Sequence, residues 1–218
     1  MPTKHHLSKS DFLKYQTCPQ YLWLWKNNRD VVPTGNPEDI ERRIEQGNEV
    51  ESYARLLFPE GRLAEGRFKE AQLNTELLLK NKVKIIFQAT VITKSGLLAM
   101  ADVLEVLDNG RFVIYEVKST TEIKKEHILD TAFQKAAFSE AGFDIESVRV
   151  VYLNKEFRKH GKIRPKELFV IEDINDKIND VYSDVKVQLN DALLYINKKD
   201  EPKTCSCVVK TKSNPLDS

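Results

Sequence analysis

A chain of 218 residues, 41% of them hydrophobic, can bury one core of ordinary size, and two full domains would be cramped. Its 34 Lys and Arg nearly cancel its 33 Asp and Glu, for a net charge of +1, so contact with nucleic acid must come from local basic patches. No apolar run approaches the roughly 20 residues that cross a bilayer, and the polar segment 1–10 lacks the apolar centre of a secretory signal. Three cysteines suit metal ligation, catalysis or burial better than a disulfide scaffold, and a cytoplasmic protein is expected.

In chain order, Ser8 or Ser10 is a suitable cap for a short helix running through Phe12 and Leu13. After Cys18-Pro19, the stretch Tyr21-Leu22-Trp23-Leu24-Trp25 reads as core beneath a small cap, with a stacking platform for unpaired bases as the alternative. A Pro/Gly/Asn-rich loop at 31–37 precedes a helical pattern over 37–58, carried by Ile40, Ile44, Val50, Ala54 and Leu57. Pro59-Glu60-Gly61 stops that helix. A further helix at 69–79 leads into a β-rich run at 82–93.

Segments 97–107 and 111–118 are apolar, partly alternating strands joined by Asp108-Asn109-Gly110, a hairpin signal. A three-residue loop pairs Leu107 with Arg111 and, counting back, sets Asp102 opposite Glu116 on one face. A two-residue Asn-Gly turn puts them on opposite faces, and the three-residue register is adopted. Asp102 is then expected to share a face with Met100 and Leu104, and Glu116 and Lys118 with Phe112 and Ile114.

An amphipathic helix follows over 122–141, with Ile128, Leu129, Ala132, Phe133, Ala136 and Ala137 on its core face and Gly142 at its end. The strand at 147–153 comes after this crossover and is expected to pair in parallel. A polar insert around 158–166 and a long helix from Ile174 to Ile196 complete the pattern, and the tail 198–218 is polar apart from Cys205 and Cys207. Alternating strands and helices predict an α/β core.

Asp102, Glu116 and Lys118 are ionisable groups on buried faces. Two facing carboxylates repel unless a cation or a proton lies between them, and each alone suffers desolvation. A divalent ion resolves both, and oxygen donors suit Mg²⁺ or Mn²⁺ with bound waters able to attack a phosphodiester. Lys118 is placed to orient or deprotonate such a water and to offset charge on the phosphate. A salt bridge at a strand end is the plainer alternative.

Asp, a hairpin turn and then Glu116-Val117-Lys118 together resemble the PD-(D/E)xK nucleases, with Ala101-Asp102 in place of that family's Pro-Asp. The stretch from His127 to Gln134 and the segment Gln46-Gly47-Asn48-Glu49-Val50 resemble the RecB-like branch that includes the CRISPR-adaptation exonucleases. The likeness runs from Leu7-Ser8-Lys9-Ser10 to Cys207 and is similar to the N-terminal nuclease-like domain of larger bacterial proteins.

The resemblance implies an α/β fold, a central mixed β-sheet flanked by helices in a restriction-endonuclease-like core with an N-terminal helical cap. It divides one domain, 1–218, into a helical part (1–80), a catalytic sheet core (81–155), an insert and C-terminal helix (156–200) and a cysteine-bearing tail (201–218). It implies Mg²⁺ or Mn²⁺ held by Asp102, Glu116 and the Val117 carbonyl, Lys118 and Gln134 as catalytic groups, DNA as substrate and no membrane, with further chain or a protein partner beyond the C-terminal end.

Asp130, Gln134 and Phe138 form one helical stripe, in which Phe138 stands where relatives have tyrosine. Asn48 replaces the branch's metal-binding histidine as a weaker, neutral ligand. Gln88 likewise stands where relatives often carry glutamate. These two replacements make an attenuated or inactive DNA-binding module the alternative function. The branch also ties its ends together with a [4Fe–4S] cluster, for which Cys18, Cys205 and Cys207 supply three of the usual four thiolates.

Overall fold

The computed structural model describes residues 5–32 and 36–201. β1 (Leu7–Ser8), α1 (Lys9–Thr17) and α2 (Pro19–Asn27) come first, then α3 (Pro37–Arg55), β2 (Arg62–Leu63) and α4 (Lys69–Lys80). The central hairpin follows β3 (Ile85–Ile92) and consists of β4 (Leu97–Val106) and β5 (Phe112–Lys118). After it come α5 (Lys125–Glu140), β6 (Ile145–Leu153), the short α6 (Pro165–Leu168), β7 (Phe169–Asp173) and α7 (Asn175–Ile196).

Six strands run in the order β2-β3-β4-β5-β6-β7, and β1 joins the sheet by pairing with β4. The sheet is mixed: β3-β4, β4-β5 and β6-β7 are antiparallel, while β1-β4, β2-β3 and β5-β6 are parallel. The parallel β5-β6 pair, spanned by α5, matches the expectation from the crossover helix. On one face α5 and α7 close a core that includes Ile114, Phe133, Val150 and Ile178. A second core sets Ala54 and its neighbours on α3 against Phe87, Val103, Tyr115 and Phe169. Helices on both faces of a mixed sheet make this an α/β fold.

The β4-β5 turn has the expected register. Leu107 N–H donates to the Arg111 carbonyl at 2.8 Å, and Gly110 takes φ +80°, a conformation open to glycine without a Cβ penalty. The ladder then runs from Val106↔Phe112 to Val103↔Tyr115 and stops. One step further the same register brings Asp102 level with Glu116. The other edge of β4 is taken by β3 out to Ile92↔Leu98, so β1, at Leu7↔Leu97 and Ser8↔Leu98, lies on the edge that β5 has left. Between the two, β4 and β5 are splayed.

Two features depart from simple alternation. Phe87 and Ala89 belong to different cores, as do Val103 and Ala101, so the faces exchange across Gln88 and Asp102, which lie opposite each other in the β3-β4 register. Gln88 has φ +55°, a left-handed value that an amide side chain adopts at some strain. For this reason Met100, 47% exposed, and Leu104, fully buried, do not share the face predicted for them with Asp102. The strand read at 82–93 begins only at Ile85, because Lys82 turns at φ +58° and Val83 N–H closes back on the Leu78 carbonyl.

Ser8 caps α1 and forms a reciprocal capping box with Asp11, whose carboxylate also meets Lys26 Nζ of α2 at 2.6 Å. Of the aromatic run, Leu22, Trp23 and Leu24 are buried, as the core reading predicts. Phe12 of α1 stacks on Phe133 of α5 at 5.9 Å, and both rings are fully buried. Phe133→Ala removes that contact and leaves a cavity, so urea unfolding should show a loss of roughly 3–5 kcal/mol.

Candidate active site between the splayed strands

Where β4 and β5 part, five charged or amide side chains from four elements, Lys9 on α1, Asp102 on β4, Lys118 on β5 and Asp130 and Gln134 on α5, gather around Glu116, which is 1% exposed. Glu116 Oε1 accepts from Lys9 Nζ at 2.6 Å and from Lys118 Nζ at 2.8 Å, while Oε2 accepts from Gln134 Nε2 at 2.5 Å. Lys118 Nζ also donates to Asp130 Oδ2 at 2.6 Å, and Lys9 Nζ stands 3.7 Å from that same oxygen. Asp102, half-buried, accepts the Val117 backbone N–H on Oδ2 at 2.7 Å.

Each placement follows from local rules. Glu116 and Lys118 are two residues apart on one strand and project the same way. Asp130 and Gln134 are four apart on α5, one above the other, and the buried face of that helix turns them to the sheet. Lys9 opens α1 directly after β1, and the capping box on Ser8 fixes the angle at which the helix leaves the sheet.

The charges set the titration of the site. Burial pushes Glu116 up, but Lys9 and Lys118 outweigh it and hold the carboxyl at about 2. Asp102 goes the other way: burial first, then the Glu116 carboxylate beside it, raise it to about 8 despite Lys9 and the Val117 amide. Burial alone would lower both lysines, yet the surrounding carboxylates raise them, so they stay ammonium groups. Burial and then the nearby Lys118 lower His127, whose Nδ1 accepts the Lys124 N–H at 3.2 Å at the start of α5.

Two buried oxygens, Asp130 Oδ1 and Gln134 Oε1, have no partner among the described residues. Orphaned acceptors in a dry site are costly. Together with Asp102 they are oxygen donors of the type that suits a hard divalent cation such as Mg²⁺ or Mn²⁺. Among the described residues no three His, Cys, Asp or Glu side chains are grouped as a ready metal site, and the positive charge next to Glu116 is supplied by the two lysines.

Of the residues named from sequence, Asp102, Glu116, Val117, Lys118 and Gln134 are brought together. Asn48 is not: it lies exposed on α3 with no hydrogen bond to the group. The α3 side chain whose charge reaches Asp102 is Glu51, one turn further on, which accepts from Gln88 Nε2 and pairs with Arg55 at 2.7 Å. Cys18 is buried at the start of α2, where its sulfur accepts from the Tyr21 N–H at 3.4 Å, and Cys205 and Cys207 lie outside the described residues. The sequence reading missed Lys9 and Glu51. A lysine at the first position of a capped helix was visible, but nothing local linked it to a strand 107 residues away.

No protein-family model and no curated protein matches the chain. Among solved structures it is similar to an alkaline exonuclease, LHK-Exo, from Laribacter hongkongensis, at 13% identity, TM-score 0.48, covering 88% of this chain and 89% of that one. The same exonuclease in complex with dAMP aligns at 12% identity, TM-score 0.49, over 88% and 87%. A chain described as SSO0001 aligns at 14% identity, TM-score 0.34, over 84% and 76%.

The two carboxylates should leave opposite marks on stability. Glu116, held below its ordinary 4.5, stabilises the fold above that pH, and its contribution is lost as pH falls toward about 2. Asp102, raised from 3.8 to about 8, makes the fold bind more protons than the unfolded chain in that interval, so stability declines as pH climbs through it. Asp102→Asn removes the buried charge and can keep an acceptor for the Val117 amide. In chelator, its melting temperature should exceed wild type by several degrees at pH 8 and converge with it near pH 4. Parallel melting curves for the two proteins across pH would contradict this assignment.

Proposed function

We propose that this chain is a metal-dependent deoxyribonuclease of the RecB-like PD-(D/E)xK class that hydrolyses DNA phosphodiesters, acting as an exonuclease. The observation that carries the reading is Glu116: a buried carboxylate level with Asp102 on the neighbouring strand, with Lys118 on its own strand and Gln134 on its second oxygen.

Asp102, Glu116 and the Val117 carbonyl are the groups proposed to hold Mg²⁺ or Mn²⁺. When bound, such an ion supplies a Lewis acid for the phosphoryl oxygen and lowers the pKa of a water it carries. The residues of the chain do the positioning. Gln134 fixes the rotamer of Glu116 through Oε2, and Asp130 anchors the Lys118 ammonium at 2.6 Å, so that it presents positive charge to one side of the carboxylates. That ammonium is the group proposed to orient the attacking water and to offset charge developing on the phosphate. The cavity lined by Lys9 and Asp102 is the route proposed for the phosphate.

The second reading, a nuclease-fold DNA-binding module with attenuated turnover, draws support from Lys9, whose ammonium already neutralises Glu116, and from the exposed Asn48. Labelled single- and double-stranded DNA incubated in Mn²⁺ separates the two. Wild type should release products, and Glu116→Ala and Lys118→Met should each reduce the rate by about 10²–10³. Calorimetry should show Mn²⁺ affinity lost in Glu116→Ala and retained in Lys118→Met. Negligible products from wild type and variants alike, with DNA still bound, would overturn the nuclease in favour of the module.

A further inference from the structure

Next to the carboxylates lies a cavity of about 340 Å³ whose lining includes Lys9, Asp102, Leu98, Met100, Phe68 and Arg67. We infer that this cavity is a nucleobase pocket, which receives one unpaired nucleotide adjoining the phosphate to be cut. The inference rests on the nuclease reading and extends it to the form of DNA that the site takes.

Four observations carry it. The volume falls within the range of small-molecule pockets, roughly 300–1,000 Å³. Two large apolar side chains of the lining remain in water, Phe68 at 57% and Met100 at 47% exposure, and a flat apolar ligand would cover both. Phe68 also takes φ +50° and ψ −115° immediately before α4, a region that bulky residues avoid, without a side-chain hydrogen bond to cap the helix. Strain of this kind persists where the side chain has a use, and it leaves the Phe68 ring largely in water with the Arg67 guanidinium 5.7 Å from its centre. Finally, charged and apolar side chains line the same cavity. Asp102 and Lys9 belong both to the pocket wall and to the carboxylate cluster, and Arg67 pairs with no carboxylate among the described residues.

A slot lined by the apolar Phe68, Met100 and Leu98 together with the charged Lys9 and Arg67 matches a molecule with an aromatic plane and an anionic end. A nucleotide has both, and base–aromatic stacking tolerates any base, as a nuclease without sequence preference requires. A base inside a duplex is already stacked on both sides, so the slot favours a frayed or single-stranded end.

The test uses the full chain with short single-stranded oligonucleotides bearing 2-aminopurine at the 5′ or the 3′ end, in Ca²⁺, read by fluorescence quenching and anisotropy. Wild type should quench the probe at one end. Phe68→Ala should abolish that quenching and raise the dissociation constant about ten-fold, the size expected for losing one stacked base, while Phe68→Trp should keep both. Because Phe68 is a surface residue, melting temperatures of the variants should match wild type. Unchanged quenching and affinity in Phe68→Ala, with Mn²⁺-dependent cleavage intact, would overturn the pocket and leave the nuclease standing. Failure of wild type either to bind or to cut DNA would overturn both.

Discussion

The structure depends on how one buried carboxylate is neutralised. Glu116 is almost fully removed from water, and an isolated charge there would be strongly unfavourable. Two ammonium groups and one amide meet its two oxygens, and each comes with an attachment of its own. Lys118 is held by Asp130, Gln134 belongs to the buried face of α5, and Lys9 is delivered by a capped helix whose Asp11 is itself paired with Lys26. Removing any one partner leaves charge stranded in a dry place, so the relative positions of α1, α5 and the sheet are fixed together.

That arrangement needs room, and the sheet provides it by giving up regularity. The β4-β5 ladder ends at Val103↔Tyr115, after which the Val117 amide is satisfied by the Asp102 side chain, and β1 fills the edge beyond. On the other side of β4, Gln88 adopts a left-handed backbone opposite Asp102 and passes its amide to Glu51. A glutamate at that position would add a third anion beside Asp102 and Glu51, which an amide avoids. The irregular positions thus cluster around the carboxylates, where strain is commonly tolerated.

Much of this was legible in the sequence because it is local. The Asp108-Asn109-Gly110 turn fixes a register that sets Asp102 level with Glu116, alternation along β5 places Lys118, and helical spacing stacks Asp130 with Gln134. Apart from the parallel β5-β6 pair across α5, long-range pairing was not legible. β1 and β2 have two residues each, too few to show a period, and β7 ends in Glu172-Asp173 and resembles a loop. Strict alternation also failed at Asp102, because nothing in the residues around Gln88 announces a left-handed backbone, and so Met100 and Leu104 were assigned to one face. On α3 the motif pointed to Asn48, whereas the charge that acts on Asp102 belongs to Glu51, three residues later and on the same helical stripe.

The contact between Lys9 and Glu116 spans 107 residues, and this has a consequence for how the protein comes into being. The hairpin can close on its own, since its turn is short, whereas bringing α1 against β5 requires closing a very long loop. During synthesis the ninth residue leaves the ribosome long before its partner. Until β5 and then α5 have emerged, the opening helix has neither Phe133 to rest on nor a carboxylate to meet. Folding therefore returns to the start of the chain to finish the centre, and the earliest-made segment is among the last to find its place.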